Sequence, residues 1–559
     1  MNDDQLSFNR RRFLECLSAM GLGSTLMPEA LTIAAQDAET ITTGIIEAAE
    51  KIAGISFTAD ERKTLLERLN GARGYLAGFA FLRTANLGND TPPAIVFNPL
   101  PPGQALPRGP AGLTRREPVV ARPSSDEALA FLPMTHLAKL VERRLVTASD
   151  LTELYLARLK TFDPVLHCVV SLTEDLARAQ AKQADAEIAA GRYRGPLHGI
   201  PYGLKDLFAV RGTKTTWGAT PYRDQVIDTD ATVYVKLREA GAVLVAKLSS
   251  GALALTARWF GGLTRNPWNT EQDSAGSSAG PGAATAAGLV GFSIGTDTGG
   301  SVISPAARNG VTGMRPTFGR VSRYGAMALA WTQDTVGPMC RSAEDCAIVF
   351  NAIYGPDGRD TSVLDVPFRW DATSDVSKLR VGCLRSILNG PSTGPAADSL
   401  RVIRDLGISI VPFDFPDVSI EAIDFIRYAE TAAAFDDVTR DGRLRQIEQG
   451  PEESPRPAEI RPARFIPAVE YIQANRYRTR VMQRMDEALS GLDLFIGTNL
   501  LLTNRTGHPA ISLPNGFMDG SPTSLQMTGK LFGEPELLLL AHAFQSKTDH
   551  HLKHPSMRI

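Results

Sequence analysis

Asn266–Ser304, NPWNTEQDSAGSSAGPGAATAAGLVGFSIGTDTGGSVIS, is the stretch on which the fold turns. Gly, Ala and Ser crowd it, and it holds two serine sites: Ser277–Ser278 in AGSSAGPG and Ser301 in GTDTGGS. Small residues at this density let main chain approach a ligand and turn several N–H groups into one concavity. Between the serines, Ala283–Leu289 reads as a tightly packed helix and Gly291–Ile294 as a buried strand. The turn Thr298-Gly299-Gly300-Ser301 follows that strand. There a hydroxyl is presented beside unpaired amides, which is what a nucleophile next to an oxyanion hole requires. A plain Gly/Ala packing segment has the same composition, so the decision falls to the rest of the chain.

Upstream, Gly195–Phe208 reads GPLHGIPYGLKDLF. Lys205 ends a short apolar, strand-like run and is flanked by Leu204, Leu207 and Phe208. A lysine at a strand end ordinarily snorkels to water. Held in apolar surroundings it loses its proton more readily and becomes a usable general base near neutral pH. Ala242–Lys247 (AVLVAK) then reads as a buried strand leading into the organising stretch.

Lys205, Ser277 and Ser301 stand in fixed order, successive members 72 and 24 positions apart. With them the chain resembles the amidase signature family from roughly Asp126 to the C-terminus. HGIPYGLKDLF is similar to that family's lysine block, NPWNTEQDSAGSSAGP to its Gly-Ser block, and GTDTGGSVISPAARNGVTGMRPTFGRVSRYG to its nucleophile block. TGHPAISLPNGF and SLQMTGK are similar to its C-terminal strands. The resemblance implies one large α/β domain with a central mixed β-sheet covered by helices. It implies amide C–N hydrolysis, with Ser301 as the acyl-forming nucleophile and neutral Lys205 as the base. Ser277, expected on a cis peptide bond, would relay the proton between them and later deliver it to the leaving nitrogen. The amides of Thr298, Gly299, Gly300 and Ser301 would form the oxyanion hole. This is a serine–lysine answer to the problem that Ser-His-Asp solves elsewhere.

Three positions depart from the family pattern. Ala279 replaces its third glycine, and Pro281 replaces a serine near a helix start, where proline is tolerated. Ile303 stands where arginine is usual, two residues after the nucleophile. Asp297 thereby loses an expected partner, leaving Arg308, Arg315 or nearby backbone N–H groups to compensate. Two other readings compete. Gly276–Gly280 also matches the G-x-S-x-G elbow of α/β-hydrolase esterases, with Ser278 as nucleophile and His508 or His542 as base. That elbow needs a buried strand before it, and Pro267–Ser274 is polar. The other alternative is a non-catalytic protein or an amidotransferase-type subunit that works only in a complex.

Composition bounds the remaining possibilities. A chain of 559 residues with 43% apolar content can build a large core. Its net charge of −2, with both signs interspersed, gives no support for nucleic-acid or anionic-membrane binding. Cys16, Cys168, Cys340, Cys346 and Cys383 show no metal or disulfide spacing and read as small apolar residues. The eight histidines are scattered, and no metal or cofactor is expected. The expected partners are a small-molecule amide, export machinery for the precursor and, in a homodimer, a second copy of the chain.

Arg10-Arg11-Arg12-Phe13-Leu14 before a weakly apolar run resembles a twin-arginine signal over residues 1–36. It implies an exported, periplasmic protein; the alternative is a cytoplasmic protein with a cationic first helix. Such a run is too short for a mature membrane anchor. Residues 37–90 read as a helical extension, with a capping box at Thr58–Glu61. Residues 91–125 read as a Pro-rich connector, Thr91–Pro110 alone holding seven prolines. The amidase-like domain follows over 126–559. It opens with a helix carrying Leu137, Leu140 and Val141 and a second beginning near Thr147–Asp150. Within it, about 366–480 reads as a helix-rich cap with helical runs at Ile423–Phe435 and Ala468–Met485.

Overall fold

The computed structural model of the protein describes residues 41–70, 82 and 88–557. The twin-arginine-like stretch lies outside the described residues. The chain divides after Gly88 into two compact units.

In the first unit, helices Thr43–Ala53 and Ala59–Asn70 form a short pair. The reading of Thr58–Glu61 as a capping box holds. Glu61 Oε2 accepts from the Thr58 amide at 2.7 Å, and the Glu61 amide donates to Thr58 Oγ1 at 3.3 Å. Arg62 joins the pair through Glu47 and Glu50 at 3.0 and 2.7 Å.

The second unit is built on one eleven-stranded mixed sheet covered by helices, the α/β architecture that the sequence predicts. Its strands in chain order are β1 (Val169–Leu172), β2 (Pro201–Lys205), β3 (Val243–Leu248), β4 (Phe292–Asp297), β5 (Thr312–Arg315), β6 (Thr335–Cys340), β7 (Val381–Leu384), β8 (Ile410–Phe413), β9 (Leu494–Ile496), β10 (Ala510–Met518) and β11 (Ser521–Gly529). In space they run β8-β7-β9-β11-β10-β5-β6-β4-β2-β3-β1. β4, β2 and β3 are parallel neighbours, and β6 lies antiparallel on the far side of β4. The carboxyl ends of β2 and β4 therefore emerge side by side, where open α/β sheets place their sites.

The organising stretch differs in detail from its reading. Its helix is Ala279–Ala286, ending before Gly288, and its strand extends through Asp297. All eight helical residues are buried, because only small side chains fit a helix enclosed on every side. Pro281 falls in the first turn, where no amide is needed. Asn269–Asp273 pairs only with Arg265–Asn266 in a small hairpin outside the main sheet.

Other elements lie close to their expected places. Thr147 and Asp150 make a capping box opening Ala148–Leu166, and the preceding helix is Met134–Glu142. The Pro-rich arm belongs to the large unit. Asn89 bonds to the Ala328 amide at 2.7 Å, Phe97 meets Phe318 edge-on, and Gly112–Thr114 pairs with Arg369–Asp371. The cap reading needs correction. Residues 366–480 supply β7 and β8 to the sheet before helices Glu421–Ala434 and Ala468–Ala488. Strands of four residues leave too short an alternation to be read from sequence.

Alternation across a strand sets the buried electrostatics. Leu204 stands opposite Lys247, so Lys205 points to the other face of the sheet and Asp206 returns to that of Lys247. Lys247 and Asp206 pair at 2.7 Å, both fully buried, and Thr215, Thr216 and the Lys214 carbonyl complete their hydrogen bonds. Breaking such a pair leaves an uncompensated charge. Lys247→Met is expected to lower unfolding free energy by about 3–5 kcal/mol. Val119→Ala, on a side chain 94% exposed, should stay within about 0.5 kcal/mol. Urea denaturation of the two variants checks the contrast.

Candidate active site

Lys205, the last residue of β2, is completely buried. Its Nζ lies 2.8 Å from Ser277 Oγ and 2.8 Å from Thr296 Oγ1. Among the described residues no carboxylate lies within ion-pair distance of it. Burial lowers its pKa from the ordinary lysine value to about 7, against the opposing pull of the Asp297 and Asp334 charges. Near neutral pH it is therefore a mixture of ammonium and free amine. Thr296 carries no signal of its own in the sequence, although it sits inside GTDTGGS on β4.

Ser277 is 1% exposed and follows a cis peptide bond with Gly276, as the resemblance implies. Gly276 is required by a close approach: a Cβ there would run into the Thr256 carbonyl. The Ser277 carbonyl accepts from the Gly251 amide at 3.3 Å, and the adjacent Ser278 amide donates to the Ser301 carbonyl at 3.1 Å. The two serine loops are thus joined through main chain, and Ser301, half-buried, sits at the start of the turn into helix Ile303–Asn309.

Asp297 holds the Ser301 turn from behind. Its carboxylate accepts from the amides of Gly300, Val302 and Ile303 at 2.7, 2.7 and 3.3 Å, and Arg315 forms an ion pair with it at 3.6 Å. Arg315, 1% exposed, also donates to Thr503 Oγ1 and the His508 carbonyl. Arg315 and the backbone together compensate for Ile303, which is fully buried; Arg308 is exposed and reaches Gln272 instead. Gly300 has φ +111°, and its amide is committed to Asp297. This narrows the expected oxyanion donors to Thr298, Gly299 and Ser301, whose amides have no acceptor among the described residues. The Thr298 hydroxyl donates to Asp334 at 2.6 Å, a carboxylate without signal in the sequence.

Ser278 has a different environment. It is fully buried, its hydroxyl donates to the Thr296 carbonyl at 3.1 Å and accepts from the Thr296 amide at 3.2 Å. Both its lone pair and its proton are engaged with one β4 residue, and the hairpin before it is outside the sheet, unlike an esterase elbow. His508 bonds through Nδ1 to Thr506 Oγ1 at 2.8 Å, with burial pushing its pKa down to about 3. His542 packs edge-on against Trp370. Among the described residues, no helix is long and apolar enough to cross a membrane, and Cys168, Cys340, Cys346 and Cys383 are buried free thiols.

Known proteins share both the sequence pattern and the fold. The family profile described as Amidase matches residues 150–497. A glutamyl-tRNA(Gln) amidotransferase subunit of Methylococcus capsulatus is 32% identical over 478 residues, covering 76% of this chain and 98% of its own. Among solved structures, the native peptide amidase of Stenotrophomonas maltophilia is 28% identical with a TM-score of 0.67, covering 74% of this chain and 96% of its own. An amidase family protein from Bacillus anthracis shares the fold at a TM-score of 0.70 and 24% identity, covering 77% and 94%.

The two serine environments predict different outcomes. Ser278→Ala should lose about 1 kcal/mol or more of stability through the unmet Thr296 groups while retaining fluorophosphonate labelling at Ser301. Ser301→Ala should abolish the label with stability nearly unchanged. Peptide mapping of the labelled protein checks both.

Proposed function

The chain belongs to the amidase signature family, hydrolases acting on carbon–nitrogen bonds, and from that premise we propose that it cleaves a carboxylic amide through an acyl-enzyme on Ser301. The observation that carries this reading is Lys205: a buried lysine with a hydroxyl at each hydrogen-bonding contact, no carboxylate at its nitrogen, and a pKa of about 7. A lysine in that state can accept a proton.

The neutral amine takes the Ser277 proton as Ser277 takes that of Ser301, and Ser301 Oγ attacks the amide carbon. The oxyanion is received by the amides of Thr298, Gly299 and Ser301, with Asp297 fixing the turn through Gly300. Each such donor is worth about 3–4 kcal/mol of barrier. Ser277 then protonates the leaving nitrogen, Lys205 restores the Ser277 proton, and ammonia or amine departs. Water repeats the sequence on the acyl ester, giving the carboxylate and free Ser301. An amide needs both halves, since it is a poor electrophile with a poor leaving group.

Peptide amides are the first substrate class to test, given the likeness to the Stenotrophomonas peptide amidase. The 32% identity to an amidotransferase subunit favours one other reading, a chain active only within a complex. Turnover by the purified chain alone separates the two.

On this mechanism kcat/KM rises as pH passes through about 7 and is level above it, because only unprotonated Lys205 is competent. Lys205→Arg is expected to be as inactive as Lys205→Ala, since a guanidinium keeps its proton. Wild-type activity in the arginine variant would remove the relay. We also propose that the precursor is exported. Replacing Arg10 and Arg11 by lysine should hold it in the cytoplasm, and cell fractionation reads the result.

A further inference from the structure

Leu329–Asp334 leads into the start of β6 and is tied on two sides. At one end Asp334, 8% exposed, accepts from the Thr298 hydroxyl at 2.6 Å and from the amides of Leu329 and Ala330 at 2.8 and 3.0 Å. Among the described residues no cation lies within ion-pair distance of that carboxylate. Its donors come from two segments, and Thr298 is the one on the nucleophile turn. Two residues earlier the Thr332 amide and hydroxyl donate to Glu430 at 3.0 and 2.7 Å, while its hydroxyl and carbonyl accept from Arg478 at 2.9 and 2.8 Å. Glu430 also accepts from the Tyr471 hydroxyl at 2.8 Å. Glu430 lies on helix Glu421–Ala434, and Tyr471 and Arg478 lie on Ala468–Ala488. One six-residue segment therefore spans from two helices of the cap to the residue that begins the Ser301 turn.

The direction of a peptide N–H follows from the dihedral angles beside it, and a hydrogen bond from the same residue's side chain to a fixed acceptor restrains those angles. A hydroxyl bonded to a carboxylate is the stronger kind of restraint. The other carboxylate of the turn, Asp297, holds Gly300, Val302 and Ile303 but, among the described residues, accepts no hydrogen bond from Thr298 or Gly299. The front of the turn would otherwise lack a side-chain tether.

We propose that Leu329–Asp334 is a positioning strut: Asp334 holds Thr298 by its hydroxyl, so that the Thr298 and Gly299 amides stay aimed at the reacting carbonyl oxygen, and Thr332 ties the cap to the same turn. This rests on the acyl-enzyme reading of Ser301. Misaimed oxyanion donors slow formation of the tetrahedral centre without weakening ground-state binding, so the loss falls on kcat. Asp334 has a second consequence through its charge. Asp297 and Asp334 are the carboxylates that act on Lys205, and Asp297 is answered by Arg315 and three amides, whereas Asp334 feels Arg323 only at a distance. Removing the Asp334 charge makes ammonium at Lys205 less favourable.

The test compares wild type with Thr298→Val, Thr298→Ser, Asp334→Asn and Glu430→Gln, using a fluorophosphonate as probe of Ser301 and steady-state kinetics on a peptide amide. Thr298→Val, which keeps the amide and deletes the hydroxyl, is expected to lower kcat and the labelling rate about 10–100-fold, with KM within about twofold. Thr298→Ser should recover most of the loss. Asp334→Asn should show a similar loss and shift the rising limb of kcat/KM to lower pH, whereas Thr298→Val leaves that limb in place. Glu430→Gln should lower kcat less than Thr298→Val does. A wild-type protein that takes no label defeats the Ser301 reading itself. Labelling of wild type together with an undiminished rate in Thr298→Val overturns the strut, as does a loss confined to KM. Undiminished kcat in Glu430→Gln overturns its cap end. Should Thr298→Val fail to fold, Thr298→Ala puts the same question under the same criteria.

Discussion

A lysine in a protein interior either meets a counter-ion or, left without one, gives up its proton more readily, and this chain holds one of each kind on neighbouring strands. Lys247 meets Asp206, while Lys205 meets two hydroxyls. The difference comes from the alternation of side chains along β2, which sends Asp206 to the face opposite Lys205. The adjacent pair Lys-Asp in KDLF thus serves opposite ends: the acid neutralises the far lysine, and the near one is left to desolvation. Everything else at the site accommodates a lysine held in that state. Ser277 and Thr296 supply oxygen partners that carry no charge, and Asp297 spends its own charge on amides and Arg315.

Sheet order makes this arrangement possible. β2 and β4 are parallel neighbours, so Lys205 and Thr296 end at the same edge, and β6, antiparallel to β4, delivers Asp334 and Thr335 there from the other direction. Thr335 bonds to the Asp297 carbonyl at 2.9 Å and Asp334 to the Thr298 hydroxyl. Two carboxylates therefore bracket the Ser301 turn, one behind it and one beside it. The small residues of Gly276–Ala286 let a helix and a loop press against these strand ends; a Cβ at Gly276 or Gly280 would collide with neighbouring backbone.

Much of this could be read from residue order. Lys205, Ser277 and Ser301 stand in blocks distinctive enough to name, and strands such as AVLVAK announce themselves by uninterrupted apolar character. Asp297 was legible as a residue needing a partner, yet choosing Arg315 over Arg308 required knowing that β5 is buried while the end of helix Ile303–Asn309 faces outward. Asp334 had no signal, because its role depends on a hydrogen bond across 36 residues. The commitment of the Gly300 amide to Asp297 was equally hidden, since a backbone donor looks the same in sequence whether free or taken. β7 and β8 were lost inside the cap because four-residue strands fall below the length at which alternation differs from chance.

The C-terminal hairpin β10–β11 lies in the middle of the sheet, between β9 on one side and β5 on the other. Gly313 of β5 pairs with Ser512, so a ribosome must add roughly 200 residues between making β5 and making its partner. At roughly 5–20 residues per second that is an interval of ~10–40 s. Until then a β5 paired with β6 leaves an open row of N–H and C=O groups on its other side, the kind of edge that recruits foreign strands. β1 to β6 are all synthesised by residue 340, whereas β9, which flanks the hairpin on its other side, comes only at Leu494–Ile496. The vulnerable period of this protein is thus set during its synthesis, by where in the gene the central hairpin is encoded.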